Sequence, residues 1–371
     1  MSGKILIVGS NVMIIYHHRL ELIKALIKSG CDVVVVAPTG GEVEELKKTG
    51  CRFRHMDVEN RGTNIFKDLI LYRTLRQICR EERPNVILTF YTKTNIYGGL
   101  VARSLNIPYI ENITGLGSAL SKGEGMVYRI MALLYRHALK KANIVYFQNK
   151  SNYQFFTDRK LYLGEYKMLP GSGVSFERFP ELPYPDSPPT EFLFVSRILK
   201  EKGIGEYLDA ASAIIKKRKD VKFHVVGPCE EDYIEQIEKA HESGIIQYHG
   251  KLFDLHNILS HTHCTVFPSY YPEGMANVLL ESAASGRPVI TTTLPGCREA
   301  VDNNLTGFTI REKDPADLVD KIEKFLDLSQ EERKKMGRAG RQKMEKEFNR
   351  EIVIREYLHE IRKITDKKIS G

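Results

Sequence analysis

Short apolar runs that alternate with segments of helical spacing recur twice along this chain, and nothing else in it restricts the fold so strongly. Residues 4–9, Lys-Ile-Leu-Ile-Val-Gly, read as a buried parallel strand. Residues 19–29 follow with Leu22, Ile23, Leu26 and Ile27 at helical spacing, and Gly30 stops them. Runs at 33–37, 51–56, 85–90, 107–112 and 143–148, with helices over 42–48 and within 64–82, continue the alternation. Repeated βαβ units imply a doubly wound parallel sheet, whose ligands sit beyond the carboxyl ends of the strands. The loop Pro170-Gly-Ser-Gly173 and the crowded Pro180, Pro183, Pro185, Pro188 and Pro189 mark a boundary. The pattern then restarts with strands at 191–196, 221–227, 246–250, 265–268 and 287–292. At 371 residues the chain is too long for one ordinary core. The fold class is therefore α/β: two doubly wound domains, 1–169 and 170–348, facing across a cleft, followed by a terminal helical segment over 349–371.

The densest stretch is Pro268-Ser-Tyr-Tyr-Pro-Glu273-Gly274-Met275-Ala276-Asn277, continued through Glu281 to Gly286 and a new buried strand. A helix starting near Met275 places Glu281 about two turns along it. Its open N-terminal amides, Gly274 to Asn277, attract an anion or sugar hydroxyls, while Glu281 suits a vicinal diol such as a ribose. A capping Glu and a solvent-facing Glu are the plain alternative.

The loops after the first-half strands also carry polar groups. Gly9-Ser10-Asn11 offers small, flexible backbone to a phosphate, without the G-x-G-x-x-G of dinucleotide folds. Tyr16-His17-His18-Arg19 puts cations at an expected helix start, where the helix dipole opposes them, and so hints at an anionic ligand; a surface cluster is the alternative. Lys93-Thr94-Asn95 opens a further helix. Residues 127–141 combine Val127, Ile130, Met131, Leu134 and Leu139 with Arg129, Arg136, Lys140 and Lys141, which reads as a helix lying on an anionic membrane or as an ordinary surface helix.

Charge separates the halves. The net +8 arises wholly in residues 1–182, with 26 Lys+Arg against 16 Asp+Glu. Such asymmetry points to an acidic partner, or only to a soluble surface. Nucleic acid is disfavoured, since neither clustered stacking aromatics nor a groove-reading motif is present. The six scattered cysteines show no zinc spacing and imply a reducing compartment. No leader and no run of about 18 apolar residues is seen, so a cytoplasmic protein, at most peripheral on a membrane, is expected.

In the second half, Ser196-Arg197-Ile-Leu-Lys200-Glu-Lys202-Gly203 follows a strand and precedes a helix. Arg197 with Lys200 or Lys202 fits a diphosphate. Together with Glu273 and Glu281, the Pro-Ser before them and the Gly-x-Pro-Val-Ile after them, this segment resembles the E-x7-E signature of the retaining, nucleotide-sugar-dependent glycosyltransferases of family 4. The resemblance runs from Gly9 through Pro295-Gly-x-x-Glu299 to the terminal helix, which it packs back onto the first domain. It implies a GT-B pair of Rossmann-like domains, with Glu273 on the donor sugar, Glu281 on the ribose, and Arg197 and Lys202 on the diphosphate. Ile-Tyr-His-x-Arg at 15–19, Lys-x-Asn at 93–95 and Gly-Leu-Gly at 115–117 look most like bacterial enzymes acting on undecaprenyl-diphosphate-linked sugars. That likeness implies an acceptor site with His17, Arg19, Lys93 and Asn95, a lipid-diphosphate acceptor, and the inner face of the cell membrane. Many members place a His after the strand at 107–112; here Glu111-Asn-Ile-Thr-Gly115 stands instead, leaving the roles of Glu111, Asn112 and Thr114 open.

The implied reaction is transfer of a UDP-linked hexose or HexNAc with retention. No D-x-D occurs, so neither metal nor cofactor is expected. A soluble-acceptor transferase, a glycogen-type polymerising transferase and a sugar-nucleotide epimerase share the architecture and are the rivals.

Overall fold

The computed structural model describes residues 3–59, 64–121, 123–186, 188–229 and 231–369, so residues 370 and 371 of the terminal segment lie outside the described residues. The chain divides into two compact units, Met1–Ser172 with Arg350–Gly371, and Gly173–Asn349. The boundary thus falls three residues later than the proline and glycine signals placed it, and the terminal helix groups with the first unit.

The first unit holds β1 (Gly3–Val8), β2 (Cys31–Ala37), β3 (Arg52–His55), β4 (Val86–Phe90), β5 (Tyr109–Ile113), β6 (Ile144–Phe147) and β7 (Tyr166–Met168). They form one sheet in the order β3-β2-β1-β4-β5-β6-β7, with every pairing parallel. The order reverses between β1 and β4, which creates a crevice at their carboxyl ends. β7 escaped the sequence reading because its three residues are exposed at the sheet edge and carry no apolar alternation.

The first helix, Val12–Lys28, starts well before the residues that suggested it. Asn11 is its N-cap, and its side-chain oxygen accepts from the amides of Met13 at 2.9 Å and Ile14 at 3.4 Å. The expectation that His17 and Arg19 stand at a helix start is therefore corrected: both lie in the second turn. The terminal helix, Arg350–Ile369, covers the same sheet face, burying Val353, Ile354, Tyr357, Ile361 and Ile364 against Ile5, Ile7, Leu88 and Phe90. Arg350 anchors its start by donating to Glu21 at 2.6 Å.

The second unit holds β8 (Thr190–Val195), β9 (Val221–Val226), β10 (Gln247–Tyr248), β11 (Cys264–Phe267), β12 (Val289–Thr292) and β13 (Gly307–Ile310), in the order β10-β9-β8-β11-β12-β13, again all parallel. β13 was missed in the sequence because it is only four residues long and begins with Gly307, whose missing Cβ lets it pass against Val289. Here the switch point lies between β8 and β11. A core of Phe192, Phe194, Phe223, Tyr207 and Phe325 fills the space under the helices. Both units are thus doubly wound α/β domains, as the alternation requires.

Candidate active site

The second switch point gathers most of the residues singled out in the sequence. β8 delivers Arg197, which is exposed, and then a single 3-10 turn, Lys200–Lys202, that ends on Gly203 at φ 80. A Cβ on Gly203 would collide with the carbonyl of Pro268, so the turn lies directly on the loop after β11. Tyr270 donates its amide to Glu201 O at 2.8 Å, which pins the two loops together. As a result Lys202, buried on this turn, reaches Glu273 and forms an ion pair and hydrogen bond with its Oε1. The ammonium also stands 4.7 Å from the Tyr271 ring centroid and 5.4 Å from that of Phe267. Lys200 points elsewhere, lining a shallow recess with Glu206, Asp209 and Tyr233.

Glu273 is held from its other side by the loop after β12. Gly296, at φ 89, approaches so closely that a Cβ there would lie 2.7 Å from Glu273 Cβ and 2.9 Å from its carbonyl oxygen. The Gly296 amide donates to Glu299 Oε2 at 2.7 Å, and Gly296 O accepts from the Ala276 amide at 2.8 Å. The hydroxyls of Thr291 and Thr292 tie β12 to Phe267 O and Ser269 O, at 2.7 and 2.6 Å. Burial, and after it the charge of Glu273, push the Cys297 thiol up to about 12, so it stays protonated beneath the loop.

Two details of the glutamate helix differ from the sequence reading. It runs over Asn277–Ala284, so Glu281 is one turn in rather than two. The Ala276 amide is already spent on Gly296, and the side chains of Met275 and Ala276 are buried in the apolar cluster around Leu279 and Phe348. Only their backbone can face a ligand. Gly274 is buried, whereas Asn277 and Glu281 are half-buried.

In the first unit Ser10 is buried in the bend after β1, beside the switch point. His17 is half-buried and stacks edge-on against Tyr16, with centroids 5.4 Å apart. Arg19 is buried, its guanidinium carbon 4.3 Å from the Phe90 ring centroid. Lys93 is bonded to Asp68 at 2.8 Å, and Asn95 is wholly buried, donating to Asn112 O at 2.9 Å. Lys93 is thus paired within the unit, and Asn95 lies in its core. Glu111 is fully buried, and burial raises its carboxyl well above the usual range. Among the described residues no group of three His, Cys, Asp or Glu side chains could hold a metal ion, and no helix is long and apolar enough to cross a membrane.

Each unit matches a family model. Residues 177–343 match "Glycosyl transferases group 1", and residues 17–158 match "Glycosyl transferase 4-like domain". The chain is a glycosyltransferase of the group 1, 4-like family. Over 330 residues this transferase is 26% identical to the N,N'-diacetylbacillosaminyl-diphospho-undecaprenol alpha-1,3-N-acetylgalactosaminyltransferase of Campylobacter jejuni, spanning 84% of this chain and 86% of that one. It is also 26% identical over 351 residues to the capsular polysaccharide biosynthesis glycosyltransferase CapM of Staphylococcus aureus, covering 90% of each. Among solved structures, the fold matches sucrose-phosphate synthase of Thermosynechococcus elongatus with a TM-score of 0.82 at 18% identity, over 98% of this chain and 100% of that one. Anabaena HepE in complex with UDP and glucose matches with a TM-score of 0.77 at 14% identity, over 96% and 98%. These place the transferase in the GT-B fold.

No local pattern shows how Gly296, Thr291 and Thr292 brace the Glu273 loop of the transferase. The Pro-Gly-x-x-Glu pattern was the one signal available, and it marks the turn without showing what the turn presses on. Asp68, which occupies Lys93, lies in the helix Ile65–Glu82, 25 residues away, where no local pattern links the two.

Proposed function

We propose that the protein transfers a hexose or HexNAc from a nucleotide sugar, UDP-linked, to a saccharide carried on a lipid diphosphate, in the assembly of a bacterial surface polysaccharide or glycan. The observation that carries this reading is the Lys202–Glu273 pair at the switch point of the second sheet, with Glu281 one turn beyond it. A ligand with a diphosphate, a sugar and a ribose needs a cation, a hydrogen-bonding carboxylate and a diol acceptor within one crevice. In this reading Lys202 and Arg197 stabilise the charge that grows on the leaving diphosphate, Glu273 orients the donor sugar, and Glu281 accepts from the ribose. Gly274 to Asn277 contribute backbone, and Ser10 lines the donor side of the first unit. Transfer proceeds with retention and without a metal ion, the leaving charge being met by Lys202 and Arg197. The UDP complex of HepE and the lipid-linked substrate named for the Campylobacter relative support donor and acceptor classes respectively.

The acceptor side is the basic first unit, held peripherally at the inner face of the membrane. The helix Gly125–Leu139 exposes Met126, Val127, Ile130 and Leu133, while Leu139 of the expected stripe is buried. The helix Ile65–Glu82 exposes Ile65, Phe66, Leu69 and Ile70. Both pack on the helix Thr92–Ser104. Apolar residues bordered by Arg129, Lys140 and Lys141 suit an anionic lipid surface, at about 1 kcal/mol per well-placed cation.

A panel of nucleotide sugars incubated with polyprenyl-diphosphate sugars, with and without EDTA, tests the proposal. Product should form with the lipid-linked acceptor, survive EDTA and keep the donor's anomeric configuration. Equal turnover on an unphosphorylated soluble sugar would favour a soluble-acceptor enzyme, and donor conversion without acceptor an epimerase.

A further inference from the structure

The proposed transfer makes no use of Glu111. This residue of β5 is wholly buried, and neither of its carboxyl oxygens has a hydrogen-bond partner among the described residues. Alternate residues of a strand share a face. Tyr109, two residues earlier, donates its hydroxyl to Ala138 O at 2.5 Å, and Glu111 meets the same pair of helices, Thr92–Ser104 and Gly125–Leu139. A Cβ on Gly99 would collide with Glu111 Oε1 and lie 2.9 Å from Ala138 O, so the carboxyl is wedged where the two helices meet. Asn112 points the other way, donating to the Tyr357 hydroxyl of the terminal helix at 2.7 Å. Arg103, one turn beyond Gly99, does not neutralise the acid, because its guanidinium is bonded to His137 O. The remaining titratable groups around Glu111 are the phenols of Tyr109, Tyr135 and Tyr162. Burial alone raises its carboxyl well above the usual range.

The Tyr135 hydroxyl is also buried without a hydrogen-bond partner, and its polar neighbours are Glu111, Asn95 and Thr92. Its ring is held edge-on against Phe156, with centroids 5.3 Å apart. Asn95 is the third incomplete group: its Nδ2 donates to Asn112 O at 2.9 Å, which leaves Oδ1 as an acceptor without a donor. Protons can be assigned to complete all three. Tyr135 gives its single proton to Asn95 Oδ1, and Glu111, as the undissociated acid, donates to the Tyr135 oxygen. An ionised Glu111 can only accept, and it competes with Asn95 for the one phenolic proton. Thr92 and Asn95 belong to the first turn of the helix after β4, beside the point where the strand order of the first sheet reverses. We propose that Glu111 is a positioning residue: through the Tyr135 hydroxyl it fixes the first turn of the helix Thr92–Ser104 beside the crevice, and loss of its proton releases that turn. The role holds whatever ligand the crevice takes.

Hydrogen exchange read on peptides spanning 92–96 of the full chain, corrected for the intrinsic pH dependence of exchange, tests this. The helix Val12–Lys28 of the same unit is the control. The closed turn keeps a proton that the opened one gives up. Protection should therefore be greatest below about 4.5 and fall as pH rises, by up to about tenfold per pH unit, until the buried acid itself ionises. Glu111→Gln keeps a donor for Tyr135 and cannot ionise, so it should retain protection at 92–96 and lose the slope. Glu111→Leu fills the space without a donor, and at pH 7 should protect the turn roughly tenfold less than Gln does. Tyr135→Phe should lower protection alike with Glu111 in place. A carboxyl merely tolerated in the core predicts the reverse order, because apolar replacement of a buried charge is neutral or stabilising: Leu would protect as well as Gln or better, and Tyr135→Phe would have no effect. That order, a wild type without the slope, or changes of equal size in 12–28 overturn the proposal. Should the Leu variant not fold, the Gln slope and Tyr135→Phe decide between the two. None of these readouts depends on the transfer reaction.

Discussion

Replacing Gly296 by Ala tests whether the Glu273 loop is held by backbone contact. Gly296 has φ 89, and the left-handed region disfavours an L-residue by about 1–2 kcal/mol. The added methyl would also sit 2.7 Å from Glu273 Cβ, 2.9 Å from its carbonyl oxygen and 3.0 Å from its carbonyl carbon. Two of those three atoms are backbone and cannot swing aside as a side-chain tip would. Overpacking of this kind destabilises by roughly 1–3 kcal/mol, so the combined loss is roughly 2–5 kcal/mol. In a unit of this size that corresponds to a melting temperature lower by about 4–20 °C. If the loop yields instead, Glu273 is pushed away from Lys202 and turnover falls, since a misplacement near 1 Å can reduce rate about a hundredfold. Thermal and urea unfolding, with nucleotide release as the activity readout, follow both effects. Gly205→Ala is the control: it lies in the first turn of the helix Ile204–Lys217, where a Cβ meets nothing within 4 Å. It should be neutral or slightly stabilising. A Gly296→Ala protein with wild-type melting temperature and wild-type turnover would refute the argument.

Lys202→Met removes the ammonium that pairs with the half-buried Glu273 carboxylate, which should destabilise by about 1.5–3 kcal/mol, as for loss of a charged hydrogen bond; adding Glu273→Gln should restore much of that loss in a double-mutant cycle, and additive effects would mean that the pair is not coupled. Glu281→Gln should weaken binding of UDP by about 1.5–3 kcal/mol in calorimetry, because an amide cannot accept two hydrogen bonds from a ribose diol as a carboxylate can; an unchanged affinity would remove Glu281 from the ribose. Burial, and then the charge of Arg333, hold the His263 imidazole down to about 4, and its Nδ1 accepts the Glu191 amide at 3.0 Å. Below the ordinary value near 6.5 the unfolded chain takes up a proton that the folded one refuses, so stability should fall between about 6.5 and about 4, by about 3 kcal/mol in all. His263→Asn should flatten that slope in urea titrations, and an unaltered slope would assign it elsewhere. Glu82 gives a separate window: burial pushes it up, but hydrogen bonds from Arg52, Lys4 and Arg54 bring it to about 2, so its contribution is lost only below about 4.5.

Local sequence was sufficient for the βαβ alternation, because a strand buried on both faces must be a continuous apolar run and its crossover helix must repeat every three to four residues. It was also sufficient for Lys202-Gly203 and for the presence of the helix bearing Glu281 and its stop at Gly286, though not for its start at Asn277. What it could not decide is which loops meet. Lys202 and Glu273 are 71 residues apart and touch because β8 and β11 are neighbours at the point where strand order reverses. Gly296 presses on Glu273 because β12 is the next strand along. Lys93 and Arg19 look alike as basic residues near strand ends, yet one faces Asp68 from an adjacent helix and the other lies on Phe90, with no carboxylate in ion-pair reach among the described residues. Periodicity reports a residue's own segment and its inward or outward face; charge compensation depends on partners from other segments, and those are set only when the sheet assembles.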